Sequence, residues 1–243
     1  MDGFELAARF SIVTNRRSYC GPADAEPALY RAITEGTGQS EVERMLSQFE
    51  ALYPYLEAIA AKHGLRPFDR AVVEAYWVGN SLLDAFGRDD FVSILESLAR
   101  RGLPAFVARE LAAALPDHPI PHHLFHVGYV GVGAVTGHVK TTLPNMESCR
   151  PATAEVTSIG RDRLEVRGPV LELRDGSLGL GGVRDRSVTY DPRALPGLAV
   201  GDRVAVHWDW AAVRLTTEMD RALTAYSERA LAAIRSARRA APT

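Results

Sequence analysis

An α+β chain is expected, with a helical domain first and a small C-terminal β-barrel closed by a helix, and three observations lead there. Apolar residues recur at spacings of three and four through the first half of the chain, the period of helices with one buried face. Three prolines within Pro116-Asp117-His118-Pro119-Ile120-Pro121 end that pattern and stiffen the backbone. From Ala152 to Trp210 short alternating runs separated by turn residues take over, as in small barrels. The implied organisation is a helical domain over 1–116, a histidine-rich linker and strand segment over 117–148, and a barrel plus helix over 149–243.

Bulk composition narrows the class. With 243 residues, 47% of them hydrophobic and 24% charged, the chain has the makings of a globular core. A formal charge of −2 offers no electrostatic case for nucleic acid or an anionic membrane. The most apolar run, Leu124 to Val139, is shorter than the ~20 residues a membrane helix needs and is broken by glycines and histidines, so no span is expected. Two far-separated cysteines, Cys20 and Cys149, suit free thiols in a reducing cytoplasm, and MDGFELAARF lacks the apolar stretch of a secretory signal.

Taken in order, Phe4 to Phe10 suggest a short helix that breaks at Thr14-Asn15-Arg16-Arg17, and Cys20-Gly21-Pro22 marks a turn. Ala25 to Glu35 reads as a helix stopped by Gly36. Ser40 and Glu43 have the spacing of a capping box opening an amphipathic helix that runs to Ile59, kinked at Pro54. Further helices fit Asp69 to Phe86, Asp89 to Arg100 and Pro104 to Leu115. Residues 122–139 (HHLFHVGYVGVGAVTGHV), rich in glycine and β-branched residues, suggest a buried strand or strand pair. Strands are expected at Ala154–Ile159, Leu164–Val166, Val170–Leu173, Val188–Tyr190 and Val204–Trp208, with Asp175-Gly176 a hairpin turn. Thr216 and Thr217 offer caps for a last helix that buries Met219, Leu223, Tyr226, Ala230 and Ile234 and ends in Arg235, Arg238 and Arg239.

Two constellations could carry chemistry. Cys149, at the start of the β-rich region, and His207, in its last strand, supply a thiol and an imidazole, a plausible donor pair for a soft metal. The plainer alternative is a buried small hydrophobe and a strand residue. The second is His122, His123, His126 and His138, four of the seven histidines in the chain. His122 and His126 share a face whether the segment is helical or extended, which makes a metal enzyme built on His122, His126 and His138 the rival reading. No H-E-x-x-H, P-loop or G-x-S-x-G motif accompanies them, and Gly131, Gly133 and Gly137 do not fit the dinucleotide fingerprint. Cys20 with a distant histidine is a possible nucleophile pair that nothing local activates.

Cys149-Arg150-Pro151 leading to Val156-Thr157-Ser158-Ile159-Gly160, then Val200-Gly201-Asp202-Arg203-Val204-Ala205-Val206-His207 before a helix, resembles the hydrogenase assembly chaperones of the HypC/HupF family. The resemblance covers roughly the last third of the chain; the opening resembles only uncharacterised actinobacterial proteins. It implies a metallochaperone-like accessory factor rather than a turnover enzyme. Such a factor holds iron bearing carbon monoxide and cyanide on Cys149 and His207, and its partner is the hydrogenase large subunit or another maturation protein. The helical domain would then recognise that partner.

Overall fold

The computed structural model describes residues 1–240, with side chains up to Ala237; the side chains of Arg238 and Arg239 lie outside the described residues. Seven helices come first: α1 (Gly3–Arg16), α2 (Glu26–Glu35), α3 (Gln39–Leu46), α4 (Tyr53–His63), α5 (Arg70–Trp77), α6 (Arg88–Ala99) and α7 (Ala105–Ala113). A short α8 (His123–Phe125) runs into a π-helical turn at His126–Gly131, and α9 (Leu143–Cys149) follows. Five strands, β1 (Ala152–Ile159), β2 (Arg163–Arg174), β3 (Ser177–Thr189), β4 (Arg203–His207) and β5 (Trp210–Arg214), precede the long α10 (Thr217–Ala240). The chain is thus α+β, with helices, a mixed five-stranded sheet and a C-terminal helix. Among the described residues no helix is long and apolar enough to cross a membrane.

Several helix ends differ from the sequence expectation, for identifiable reasons. The helix starting near Ser40 begins on Gly38, a left-handed residue (φ 77°), so Ser40 lies inside α3 and makes no cap. Pro54 does not kink a long helix: the chain breaks after Leu46, and Pro54 takes a first-turn position of α4, where a missing N–H costs nothing. α1 continues through Thr14 to Arg16, because Thr14 satisfies its hydroxyl on the Ser11 carbonyl and Asn15 bonds the Cys20 and Pro22 carbonyls. Asp69 to Phe86 is α5 plus a separate 3-10 turn at Ser81–Ala85, capped by Asn80.

The strand expected within 122–139 is absent: its first half is a buried helical turn, its second half a set of turns. Gly131, Gly133 and Gly137 all have positive φ, and a Cβ on Gly133 would run into the Val139 carbonyl. Those glycines serve tight reversals, which a ladder of β-branched residues does not allow.

The β region keeps its expected outline. Asp175 and Gly176, both at positive φ, make the tight turn of the β2–β3 hairpin, and the two short strands expected at Leu164–Val166 and Val170–Leu173 merge into β2 with a register irregularity near Pro169. Pairing runs β1–β2–β3–β5–β4, and β4 pairs back onto β1. The β3–β5 pairing is parallel, the others antiparallel. Thr216 caps α10 by accepting the Met219 N–H at 3.2 Å.

Alternation along β4 decides what faces where. Val204 and Val206 point into the sheet's own core with Val156, Leu164, Val166 and Val188. Ala205 joins the larger core shared with the helices, and by the same period-two alternation His207 is turned toward the helical body, where it meets Phe10 and Trp77. That larger core runs without a break from Leu6 in α1 to Ile234 in α10, so helices and sheet pack as one body around the site.

Candidate metal centre

Three elements deliver three donors to one point. α9 ends in Cys149, β4 ends in His207, and α8 begins with His123; their ligand atoms lie within 4.8 Å of one another. Cys149 is half-buried as a residue, while His123 and His207 are buried.

Backbone and ion-pair contacts fix this meeting. The Trp208 N–H donates to the Ser148 carbonyl, stitching the β4–β5 turn to the end of α9. Trp208 adopts a left-handed φ of 55°, a conformation rare for a bulky residue, and is held by Tyr19 tilted against its ring and Arg17 lying over it. On the other side of α9, the buried Arg150 pairs with Glu147, and Glu147 also binds Arg186 and the Leu171 N–H. α9 is thereby clamped onto β2 and β3. α8 is set by His122, whose Nδ1 accepts the Leu124 N–H at 3.2 Å, and by the buried Leu124 and Phe125.

Hydrogen bonding dictates the tautomers. His207 Nδ1 lies 2.7 Å from the Phe10 carbonyl, which only accepts, so Nδ1 carries the proton and Nε2 presents a lone pair. Nε2 is buried with no hydrogen-bond partner among the described residues. A buried imidazole nitrogen whose lone pair is unused is able to take a metal ion. His123 is bracketed differently: Nε2 is 3.0 Å from the Cys149 carbonyl and 3.6 Å from its sulfur, and Nδ1 is 2.7 Å from the Tyr76 hydroxyl. Facing that carbonyl, Nε2 holds the proton and Tyr76 donates to Nδ1. The Tyr76 hydroxyl also lies 3.2 Å from the Ala51 carbonyl, an alternative acceptor. Turning to Ala51 lets Tyr76 accept from Nδ1–H, which frees Nε2.

Burial governs the charge states. It pushes His207 down to about 4, against the opposing Phe10 and Cys149 carbonyls, and pushes His123 well below the ordinary imidazole value, helped by the neighbouring histidines. Both rings are neutral at pH 7. Burial also pushes the Cys149 thiol up to about 12, with the Trp208 indole N–H working the other way. The group therefore offers two neutral imidazoles and a thiol that must shed its proton to bind.

A metal fits these residues. Typical metal–sulfur and metal–nitrogen bonds of about 2.3 and 2.1 Å at a tetrahedral angle put the two donors about 3.6 Å apart. The Cys149 sulfur and His123 Nε2 are separated by 3.6 Å. Beside them lies a cavity of about 60 Å³, walled by Phe49, Leu52, Trp77, Val132, Val135 and Val139. That is room for an ion and a few small ligands.

The sequence-derived candidates divide. Cys149 and His207 meet. His126 lines the cavity but is tied through Nδ1 to the Tyr55 hydroxyl at 2.9 Å. His122 is fully buried outside the group and His138 is exposed on a loop, so His122, His126 and His138 do not converge. His123 belongs to the histidine-rich stretch but not to its facing pair, because helical and extended spacing both favour its neighbours; the short α8 followed by a π turn obeys neither period. Trp208 lines the cavity as a wall, while Trp210 packs in the helical core and donates to the Arg9 carbonyl. Cys20 lines the same cavity at its α1–α2 loop.

Fold and site together define an α+β protein with a buried Cys/His donor group opening on a small apolar cavity. The chain belongs to DUF6390, a family of unknown function, whose family model matches residues 1–241. No curated protein and no solved structure matches it.

Proposed function

We propose that this protein is an accessory factor of nickel–iron hydrogenase maturation. In this reading it carries an iron fragment bearing carbon monoxide and cyanide on Cys149 and His207, with His123 as a third donor. The observation that carries the reading is the meeting of Cys149 and His207, 58 positions apart in sequence, in one group of donor atoms within 4.8 Å. Two further features agree with it. The ring of strand pairings reads as a small barrel closed by α10, the architecture implied by the HypC/HupF resemblance. The cavity lining is mostly apolar, as suits uncharged carbonyl ligands on a soft metal.

Each residue has a definable task. His207, locked in one tautomer by Phe10, gives a lone pair without rearrangement. Cys149 releases its proton to solvent as the sulfur binds. His123 completes the set once Tyr76 turns toward Ala51, and the helices supply the face that meets the hydrogenase large subunit or another maturation protein. The cytoplasm is the compartment that two free thiols and this partner would require.

The reading is tested in a host that makes nickel–iron hydrogenase but lacks its own copy of this protein. The wild-type gene should restore hydrogenase activity, and Cys149→Ser and His207→Ala should not. Full restoration by Cys149→Ser would end the carrier proposal and leave a metal-free docking role.

Tyr76 gives a second expected result. With metal on His123 Nε2, Nδ1–H needs the Tyr76 oxygen as its acceptor, and Tyr76→Phe leaves that buried N–H unpaired. Metal affinity should fall about 10- to 100-fold in competition with a chromophoric chelator. Unchanged affinity would remove His123 from the ligand set.

A further inference from the structure

The chain has two cysteines, 129 positions apart in sequence, and both line the one cavity that holds His123 and His207. Cys149 has a task in the proposed function and Cys20 has none. The Cys20 thiol donates to Glu50 Oε2 at 3.4 Å, and the Gly21 N–H donates to the same oxygen at 2.9 Å. The sulfur and the carboxylate are thus held side by side by a turn that leaves no slack: Gly21 sits at φ 80°, and a Cβ there would strike the Phe49 ring.

A second observation points to a ligand in the cavity that Cys20 lines. Ser11, 2% exposed, lines the cavity from α1, and its Oγ has no hydrogen-bond partner among the described residues. A buried hydroxyl without a partner costs about 1–3 kcal/mol unless something in the cavity meets it. The two sulfurs are also structurally linked. Ala51, next to Glu50, accepts from Tyr76, and Tyr76 contacts His123, which in turn contacts the Cys149 sulfur. One phenol separates the Cys149 group from the Cys20 wall.

We propose that Cys20 and Glu50 form a second station for a soft divalent metal ion, across the cavity from Cys149. The proposal rests on reading the cavity as a metal-carrying site. On binding, the Cys20 S–H bond breaks, the sulfur electron pair and one Glu50 oxygen go to the ion, and the proton leaves to solvent. Thiolate and carboxylate together cancel the two positive charges, so the complex is neutral at the edge of an apolar cavity that Cys20 lines, where an uncompensated charge is costly. The Cys149 group, with one thiolate and two neutral imidazoles, leaves a divalent ion with one net positive charge. The cavity thereby has two ends that differ in charge and in donor type, which lets an ion be received at one and held at the other.

Cadmium(II) is the probe, titrated into the reduced full-length protein under anaerobic conditions and followed by the thiolate-to-cadmium ultraviolet band. The wild-type protein should titrate in two steps. Cys20→Ala should keep only the tighter step, Cys149→Ala only the weaker, and Glu50→Gln should weaken the second step about 10-fold while leaving the first in place. In the unmodified protein, mass spectrometry after alkylation should find Cys20 protected only at the second equivalent, a readout that does not depend on any variant folding. A second step that survives in Cys20→Ala, or Cys20 alkylated equally with and without cadmium, overturns the proposal. Loss of the Cys149 step alone would instead count against the carrier reading and leave the Cys20 station standing.

Discussion

Cys149→Ser protein, purified without oxygen from cells that make the hydrogenase cofactor, is expected to retain at most about 1% of the iron bound by the wild type. Loss of a group that merely orients a ligand costs 10- to 100-fold in metal affinity, and Cys149 is proposed as a ligand itself, so its loss should cost at least as much. Serine keeps the size of the side chain and its place at the end of α9, so the fold should survive. The α9 anchors, the Trp208 N–H on Ser148 and the Arg150–Glu147 pair, do not involve the sulfur. His126→Ala, by contrast, should keep most of the iron, because His126 is committed to Tyr55. Equal iron in wild type and Cys149→Ser, measured by elemental analysis, would assign the metal elsewhere.

Lowering the pH should unfold the metal-free protein sharply between about pH 6 and pH 4. Burial depresses His122 to about 3 and His126 and His207 to about 4, and holds His123 well below its ordinary value. In the unfolded chain each would titrate near 6.5. Below that pH the unfolded state binds more protons than the folded one, so stability is full above about 6.5 and is lost as pH falls toward the folded values. Each histidine contributes a slope of about 1.4 kcal/mol per pH unit, and four together about 5.5 kcal/mol per unit. A domain of this kind has about 5–15 kcal/mol to lose. Circular dichroism against pH should place the midpoint near pH 5. Bound metal, which competes with protons for His123, His207 and Cys149, should move it lower. A protein that stays folded at pH 3.5 without metal would show that these rings are not buried as described.

Much of this arrangement can be read in the residues, and where it cannot the cause is local. The hairpin at Asp175-Gly176, the cap at Thr216 and the inward and outward sides of β4 follow from turn chemistry and period two. No spacing argument connects Cys149 and His207, which lie 58 positions apart; only the family resemblance pairs them. His123 stayed hidden because its role depends on a three-residue helix joined to a π turn, a geometry with no repeating signature. Ser40 and Glu43 misled for the opposite reason: their spacing is right, but the Gly38 turn had already started α3. The glycines of 131–137 sit among β-branched residues as they would in a strand, although their positive φ values mark reversals that bring Val132, Val135 and Val139 to the cavity wall.

The central claim, that Cys149 and His207 hold an iron fragment with diatomic ligands, is tested most directly by infrared spectroscopy. The sample is wild-type protein isolated anaerobically from a host making that cofactor. Carbon monoxide and cyanide stretches should appear on the isolated protein and vanish in Cys149→Ser and His207→Ala. A wild-type spectrum empty in that region, from cells whose hydrogenase is mature and active, would contradict it.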